Sequence, residues 1–359
     1  MNENRRPIPD FPVFDGHNDV LMRLFGKAKA DAASDFVRGD NEGHLDLPRI
    51  KKAGFAGGMF AIYIPSDDID SIDDLMQGKS YDVPLAKAIS QDDALPIAME
   101  MAATLIRIER QSAGTFKIVK SVNDIRHCIS IGVVAAVMHM EGAEAIAADL
   151  DALDVFYQAG LRSIGPVWSR PNIFGHGVPF RFPSTGDTGP GLTDIGKELI
   201  AVCGQLGIAI DLSHITEQGF WDVAKLTGKP LIASHSNAHA ICPSARNLTD
   251  NQLFAIKDSG GMVGLNFATC FLDPAGQNAP QTSFETMLRH LDYLIEKLGA
   301  NHVGFGSDFD GAGIPEVMGD VSGLGDLQSA MRGHGYDDEL MRKITHENWL
   351  KVLETTWGA

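Results

Sequence analysis

The sequence predicts an α/β protein built on a (β/α)8 barrel. Strand-like and helix-like segments alternate along the chain, which is typical of parallel strands joined by helices. The strand-like segments are short, apolar and continuous, as expected for strands that are buried on both faces. There are eight of them, the number that closes this kind of barrel. They span 11–17, 58–65, 132–141, 161–168, 208–214, 230–235, 261–267 and 303–308.

Amphipathic helices are predicted between these strands. The clearest spans about 284–298, where apolar residues recur at helical spacing. Other helices are predicted at about 95–110, 143–158, 193–206, 217–226, 251–258 and 338–355. Segment 116–131 is predicted to form an extra strand and helix ahead of the third barrel strand.

One domain over 1–359 is the simplest organisation, because no linker, charge block or internal repeat divides the chain. The loops after the second and fourth strands, 66–93 and 169–190, are read as insertions. The first is acidic and polar, and the second is rich in Pro and Gly. Loops at this face of a barrel usually shape the substrate pocket.

Composition excludes several classes of partner. The chain has 359 residues, 44% of them apolar and 21% charged, which are values of a globular protein. Its formal net charge of −17 argues against nucleic acid or an anionic membrane surface as partner. An anionic substrate would therefore have to be bound by local cations.

A cytoplasmic, reduced protein is expected. No apolar region follows the first residues, so no signal peptide is visible, and no apolar run is long enough to span a membrane. The four cysteines show no CxxC pairing and are predicted to be buried thiols. They are Cys128, Cys203, Cys242 and Cys270.

Five of the predicted strands end on residue types that bind metals, and the catalytic residues of a barrel lie at these strand ends. Residues two apart in an extended segment point the same way, so His17 and Asp19 can reach one cation. Glu141 has two oxygens and can bridge two cations. The full set is His17, Asp19, Glu141, His214, His235 and Asp308.

Each member of this set has an alternative role. A lone His at a strand end is more often a hydrogen-bonded core or surface residue. Glu141 could instead cap the next helix or pair with a buried Arg. His139 points the same way as Glu141 and remains an alternative ligand. The set as a whole favours a metal site, because its members end strands one, three, five, six and eight of one barrel.

The chemistry that this set indicates is metal-assisted hydrolysis. Imidazole suits zinc, and carboxylates widen the choice to other divalent ions. Two metals that share Glu141 would activate a water for attack on a carbonyl. Asp308 would take the proton of that water and return it to the leaving amine.

Several motifs together resemble the membrane (renal-type) dipeptidase family, a branch of the amidohydrolase-like metal hydrolases. The resemblance covers nearly the whole chain. It rests on Phe14-Asp15-Gly16-His17-Asn18-Asp19, Ala53-Gly54-Phe55-Ala56-Gly57-Gly58, Glu141-Gly142, Ile210-Asp211-Leu212-Ser213-His214, Ala233-Ser234-His235-Ser236-Asn237-Ala238, Ser307-Asp308-Phe309-Asp310-Gly311 and His346-Glu347-Asn348-Trp349.

The resemblance implies a (β/α)8 TIM barrel of the metal-dependent hydrolase type that cleaves free dipeptides. His17 and Asp19 would bind one zinc ion and His214 and His235 a second. Glu141 would bridge the two, and Asp308 would be the proton shuttle. Some members of the family accept a D-residue on the C-terminal side, and the family favours a homodimer.

Arg246 matches the family arginine that holds the C-terminal carboxylate of the dipeptide. A guanidinium pairs bidentately with a carboxylate, which makes this role physically sensible. Without the family pattern, Arg246 would be read as a solvent-facing loop cation.

One position departs from the family. The family commonly has a His after strand four that contacts the scissile carbonyl, and here that position is Trp168. Arg170 and His176 lie in the same loop and could replace it, although His176 could equally be a loop residue with no role. Asn172, Trp168 and His176 are the candidate substrate contacts of this loop. The departure keeps open another amide, a lactone or a phosphoester as substrate. A scaffold without enzyme activity is disfavoured, because every metal-binding residue is present.

Overall fold

Eight parallel strands form a barrel in the computed structural model, which describes residues 11–27, 29–66 and 75–358. The described residues contain these eight strands and three others. In chain order all of them are β1 (Val13–Asn18), β2 (Phe55–Tyr63), β3 (Tyr81–Asp82), β4 (Phe116–Ile118), β5 (Val134–Glu141), β6 (Leu161–Gly165), β7 (Arg181–Phe182), β8 (Ala209–Ile210), β9 (Ile232–Ala233), β10 (Met262–Leu265) and β11 (Val303–Phe305). The barrel order is β8-β6-β5-β2-β1-β11-β10-β9. A parallel bridge between Asp211 and Ile232 joins its two ends, and Leu212 N donates to Ile232 O over 2.9 Å. The predicted barrel is therefore confirmed, and each barrel strand overlaps a predicted segment.

Helices surround the barrel. They are α1 (Val20–Leu24), α2 (Lys29–Arg38), α3 (Leu47–Ala53), α4 (Gln91–Gln111), α5 (Val122–Ile131), α6 (Asp151–Ala159), α7 (Asp194–Leu206), α8 (Glu217–Leu226), α9 (Asp250–Asp258), α10 (Thr269–Leu272), α11 (Phe284–Leu298), α12 (Leu324–His334), α13 (Asp338–Arg342) and α14 (Asn348–Trp357). The extra strand and helix predicted for 116–131 are β4 and α5. Strand β4 pairs with β5 but is not one of the eight strands of the barrel order.

Two helix predictions differ from the structure. The helix predicted at 143–158 begins only at Asp151, because the chain after β5 is held in turns. Gly142 N and Ala143 N donate to Gly165 O and Pro166 O of the next strand region. Leu150 has a φ of +62°, in the left-handed region, which a right-handed helix across 143–158 cannot include. The helix predicted at 338–355 is divided into α13 and α14 by a π-helical turn at Lys343–Glu347.

The barrel interior is closed by an apolar layer below the carboxyl ends of the strands. Phe14, Met59, Val137 and Met262 point into it from four strands and pack with Trp349 of α14. Trp349 is fully buried, and its indole N–H donates to Phe305 O over 2.9 Å. This layer fills the lower barrel, so that polar side chains collect only at the upper end.

The loops after β2 and β6 meet over the carboxyl end of the barrel. They pair there as the antiparallel strands β3 and β7, with Tyr81 opposite Phe182. Tyr81 also donates its hydroxyl to Gly276 O over 2.7 Å. Both insertions thus contribute a wall above the barrel. That wall is an apolar cluster that includes Tyr63, Met76, Trp168, Phe180, Cys270 and Phe271.

All four cysteines are buried free thiols, as predicted. Within the described ranges, no helix combines the length and the apolar character needed to cross a membrane.

Replacing Trp349 by Ala should lower the free energy of unfolding by about 3–5 kcal/mol, because it leaves a cavity in a layer that cannot collapse around it. Denaturant unfolding measures the loss. Phe254→Ala is the matched control, since Phe254 is 45% exposed, and it should change the free energy by only about 0.5 kcal/mol. Equal losses in the two variants would contradict the role of Trp349 as the plug of the barrel.

Candidate active site

Six acidic and imidazole side chains from five barrel strands converge at the carboxyl end of the barrel. They are His17, Asp19, Glu141, His214, His235 and Asp308, and all six are buried. Each follows from the fold, because parallel strands bring their carboxyl ends to one rim. Strand β1 shifts its register against β2 between Asp15 and Asn18, around His17, and such irregularities re-aim side chains.

The two oxygens of Glu141 face different partners. Oε2 lies 3.7 Å from His17 Nε2, which is itself 3.1 Å from Asp19 Oδ2. Oε1 lies 3.0 Å from His214 Nε2 and 3.5 Å from His235 Nε2. Glu141 therefore stands between one His–Asp pair and one His–His pair.

These spacings fit divalent cations. In a tetrahedral zinc site with bonds near 2.0–2.1 Å, neighbouring ligand atoms lie about 3.3 Å apart. His214 Nε2 and His235 Nε2 are 3.0 Å apart, and the His17–Asp19 contact is similar. Asp19 Oδ1 is buried without a hydrogen-bond partner among the described residues. Nitrogen and carboxylate oxygen are also the donors that zinc accepts.

The electrostatics of the site point the same way. Burial raises the pKa of Glu141 well above its usual value, and the carboxylates of Asp19 and Asp308 add to this rise. Burial lowers the pKa of His214 and of His235 well below the usual value, helped by Arg246. The two imidazoles are thus neutral, which is the form that binds metals. A divalent cation among these groups would favour the ionised form of Glu141.

Hydroxyl and carboxylate groups orient two of the imidazoles. Ser169 Oγ lies 2.8 Å from His214 Nδ1, and Ser234 Oγ lies 2.7 Å from His235 Nδ1. Ser234 Oγ donates to Asp211 Oδ2 over 2.6 Å. Such contacts fix the tautomer and the ring orientation of a ligating histidine. Sequence reasoning missed Asp211, although it ends a strand in the same way as the predicted ligands.

Asp308 is presented by a tight turn. Its backbone has φ of +60°, in the left-handed region that Asp tolerates better than most residues. Asn266 Nδ2 donates to Asp308 Oδ2 over 2.8 Å. Burial raises the pKa of Asp308 to about 6, with a further contribution from Asp19. A Cβ at Gly311 would collide with the carboxylates of Asp19 and Asp308. Asn266 was also missed, although it too ends a predicted strand.

Arg246 is buried beside the histidines, with 3% of its surface exposed. The alternative interpretation of Arg246 as a solvent-facing loop cation is therefore wrong, and its contact with substrate stays a prediction. Nη2 lies 3.2 Å from His214 Nε2 and 3.3 Å from His235 O, and Nη1 contacts Ser213 O. The guanidinium carbon is 5.3 Å from the centre of the Phe271 ring.

A cavity of about 200 Å³ opens above these groups. Asp19, Glu141, His214 and Asp308 form its polar floor. Its walls are mainly apolar, with Met22, Tyr63, Met76, Trp168, Phe180, Cys270, Phe271 and Ala312. Trp168 therefore lines the cavity, and its ring centre lies 5.8 Å from that of His214.

The other loop candidates lie outside this lining. Asn172 Nδ2 donates to Pro166 O over 2.8 Å, and its Oδ1 accepts from Phe174 N. His176 Nδ1 lies 3.2 Å from Gly191 O. Both side chains hold the loop together, and neither is among the described residues that form the wall of the cavity.

Arg170 is likewise unavailable to a substrate. Its Nε pairs with Glu144 Oε1 over 2.9 Å, and Nη1 donates to Ser66 Oγ over 2.6 Å. The guanidinium carbon lies 5.2 Å from the centre of the Trp168 ring. The expectation that Arg170 replaces the family histidine is therefore not supported, because its guanidinium is already paired with the buried carboxylate of Glu144.

Comparisons with known proteins agree with this geometry. The sequence model of the membrane dipeptidase family (peptidase family M19) matches residues 1–357. The chain is similar to the solved dipeptidase AC, a metallo peptidase of family M19, with a TM-score of 0.95 and 55% identity over 98% of this chain and 100% of that chain. It is equally similar to a metallo peptidase from Rhodobacter sphaeroides, solved with a phosphinate mimic of the dipeptide L-Ala-D-Ala, with a TM-score of 0.95 and 55% identity over 97% and 99% of the two chains.

A protein of Acinetobacter calcoaceticus, described as an uncharacterized protein in the PQQ-III 3′ region, is 45% identical over 287 residues. That match covers 80% of this chain and 90% of the relative. The family match spans almost the entire sequence, and the two solved structures share both the fold and more than half of the residues. The chain therefore belongs to the membrane dipeptidase family, the metallo-dipeptidases of peptidase family M19.

Proposed function

We propose that this metallo-dipeptidase uses two zinc ions to hydrolyse free dipeptides, including those with a C-terminal D-residue. The observation that carries the proposal is the position of Glu141. One carboxylate oxygen faces His17 and the other faces His214 and His235. A carboxylate placed in this way can serve two cations at once.

In this proposal, His17 and Asp19 hold one zinc ion, His214 and His235 hold the other, and Glu141 is shared. When bound, the pair of ions would polarise the scissile carbonyl and lower the pKa of a water held beside it. The protein supplies rigid strand ends, neutral imidazoles and a buried floor.

Asp308 is proposed to move the proton. A carboxylate with a pKa near 6 can accept a proton near neutral pH and give it up again. One oxygen is held by Asn266, which leaves the other to take the proton of the attacking water. The same proton would then pass to the nitrogen of the leaving amino acid as the peptide bond breaks.

Arg246 is proposed to bind the C-terminal carboxylate of the dipeptide. Its Nη2 lies 3.2 Å from the lone pair of His214 Nε2. A His214 that binds a cation through Nε2 cannot accept from Arg246, so this N–H becomes available to the substrate. Arg246 is not among the described lining residues, but it contacts His214 and Phe271, which are. A buried guanidinium is a strong and selective carboxylate partner, and long peptides would lack a carboxylate at this distance from the proposed metal ligands.

The cavity favours small substrates. Its volume of about 200 Å³ and its aromatic walls leave little room for bulky side chains. The Rhodobacter sphaeroides relative holds a mimic of L-Ala-D-Ala, and this supports dipeptides with small side chains, including those with a C-terminal D-residue, as substrates of this chain.

The first test is steady-state hydrolysis of a library of L-Xaa-L-Xaa and L-Xaa-D-Xaa dipeptides by zinc-loaded protein. We expect turnover with kcat/KM in the ordinary enzyme range of about 10⁴–10⁸ M⁻¹s⁻¹. Asp308→Asn should lower kcat by about 10²–10⁴-fold, because it removes the proton acceptor. The variant should keep its bound zinc, measured by metal analysis.

Lactones, other amides and phosphoesters serve as the comparison substrates in the same assay. Turnover of one of these, with none of any dipeptide by the metal-replete protein, would overturn the proposed substrate class while leaving the metal site in place. Full activity of Asp308→Asn would remove Asp308 from the mechanism.

Replacing Arg246 by Met should raise KM for dipeptides by about 10–10³-fold, since a charge-assisted bidentate contact is lost. The matched control changes the substrate. A dipeptide amide, which has no C-terminal carboxylate, should be a poor substrate of the wild type and should suffer little further loss in Arg246→Met. If Arg246→Met lowers kcat/KM equally for the dipeptide and for the dipeptide amide, Arg246 does not bind the carboxylate.

Trp168→Ala should shift substrate preference, because it opens the wall of the cavity. We expect the ratio of kcat/KM for Phe-containing dipeptides over Ala-Ala to rise about tenfold or more. Ile173→Ala is the control, as Ile173 lies in the same loop and is 46% exposed. An unchanged ratio in Trp168→Ala would show that the wall does not select size.

A further inference from the structure

Two buried imidazole nitrogens beneath the metal site lack a hydrogen-bond partner among the described residues. They are His17 Nδ1 and His139 Nε2. Both side chains are fully buried. The two rings meet edge to face, with centres 5.4 Å apart and planes at 79°. Because buried polar atoms are nearly always paired, this coincidence needs an explanation.

His139 lies one step deeper in the barrel than Glu141. Ala135, Val137, His139 and Glu141 alternate along β5 and so share its inner face. The lower two belong to the apolar layer around Trp349. His139 is thus the polar side chain that separates this layer from the metal site on β5.

A histidine that binds a cation through Nε2 carries its proton on Nδ1 and needs an acceptor for it. His17 Nε2 is the nitrogen that faces Asp19 and Glu141. The Nδ1–H of His17 must therefore be accepted by another group. His139 and Asp211 are the candidates, because one ligand atom of each lies within 4.8 Å of one nitrogen of His17.

Asp211 is already occupied. Its Oδ1 accepts from Ser213 N, Ser213 Oγ and Ser234 N, and its Oδ2 accepts from Ser234 Oγ. Four donors nearly fill the lone pairs of a carboxylate. His139 Nε2, in contrast, has no hydrogen-bond donor among the described residues. Its distance of 3.7 Å from Asp211 Oδ2 is too long for a hydrogen bond.

The tautomer of His139 depends on whether its other nitrogen donates or accepts. His139 Nδ1 lies 2.9 Å from Ser163 Oγ on the neighbouring strand β6. If Nδ1 donates to Ser163, Nε2 is left as an acceptor that faces His17. If Ser163 donates instead, Nε2 carries the proton and leaves the Nδ1–H of His17 without an acceptor.

We propose that His139 is a positioning residue for the metal ligand His17. His139 Nδ1–H donates to Ser163 Oγ, and one water accepts the Nδ1–H of His17 and donates to His139 Nε2, since the two nitrogens make no direct hydrogen bond. This contact holds the His17 ring so that its Nε2 faces Asp19 and Glu141. The inference rests on the proposed two-zinc function, since it concerns the ligand set of one of those ions.

His139 could instead be a metal ligand itself, as the sequence left open. The two roles differ in what can replace the imidazole. A hydrogen-bond acceptor of similar reach, such as the side-chain oxygen of Gln, can substitute for a positioning residue. It cannot match an imidazole nitrogen as a ligand for zinc.

The test measures zinc affinity by competition with a chelator, in the full-length protein, for the wild type, His139→Phe and His139→Gln. We expect His139→Phe to lower the affinity for one of the two zinc ions by about 10–100-fold. His139→Gln should stay within about threefold of the wild type. Excess zinc should restore kcat in His139→Phe with little change in KM, which a distorted substrate site would not allow.

His290→Phe is the matched control. His290 is also a fully buried imidazole, but its nitrogens contact Ala238 N and Leu272 O. This variant should lose stability and keep both zinc affinities. If His139→Phe does not fold, Ser163→Ala replaces it, and it should weaken the same ion by about threefold or more because it frees the His139 ring.

Three outcomes would overturn the inference. If His139→Phe, or Ser163→Ala in its place, leaves the affinity for both zinc ions unchanged, His139 does not position His17. Loss of one ion from His139→Gln that excess zinc does not restore would make His139 a ligand. A wild type that binds fewer than two zinc ions would defeat the two-zinc function as well, and the wild-type measurement separates this failure from the other two.

Discussion

The structure depends on holding three carboxylates close together in a buried place. Asp19, Glu141 and Asp308 would repel one another if all were ionised, and burial alone already raises the pKa of Glu141 and Asp308. Such an arrangement is costly unless cations compensate it. The three imidazoles proposed as metal ligands, those of His17, His214 and His235, lie against these carboxylates. A pair of divalent cations would convert this electrostatic cost into binding free energy.

The fold makes that arrangement rigid. Every proposed ligand lies at or just beyond the end of a barrel strand that pairs with a neighbour on each side. The apolar layer around Trp349 supports the floor of the site from below. Asp211 contributes in two ways. Its backbone closes the barrel against Ile232, and its carboxylate collects the serines that orient His235. The closure of the barrel and the orientation of a ligand thus depend on one residue.

Much of this was predictable from the sequence. The six proposed metal and proton-transfer residues were found because they end apolar runs, and chain order alone brings such ends to one rim. The substrate contacts proposed for Asn172 and His176 stay predictions, since a loop carries no periodicity that shows where a side chain points. The start of α6 was placed eight residues too early, because the left-handed conformation of Leu150, directly before the helix, cannot be read from the local pattern. The β3–β7 pair was missed because it joins two loops that are distant in sequence.

Trp168 shows how a change at one position is supported by its surroundings. An indole is larger than an imidazole and cannot carry a positive charge, so it provides a wall where the family commonly has a polar contact. The wall is held by Tyr63 and Phe180, whose rings meet it edge to face. Behind it, Arg170 lies near the faces of Trp168 and Tyr63 and is neutralised by Glu144. The guanidinium therefore stabilises the aromatic wall through cation–π contacts. Because it is also paired with Glu144, its charge is not available to a substrate. In the proposed function, electrostatic help for the scissile carbonyl would therefore come from the side of the cavity that holds the proposed metal ligands, and the loop side would contribute shape.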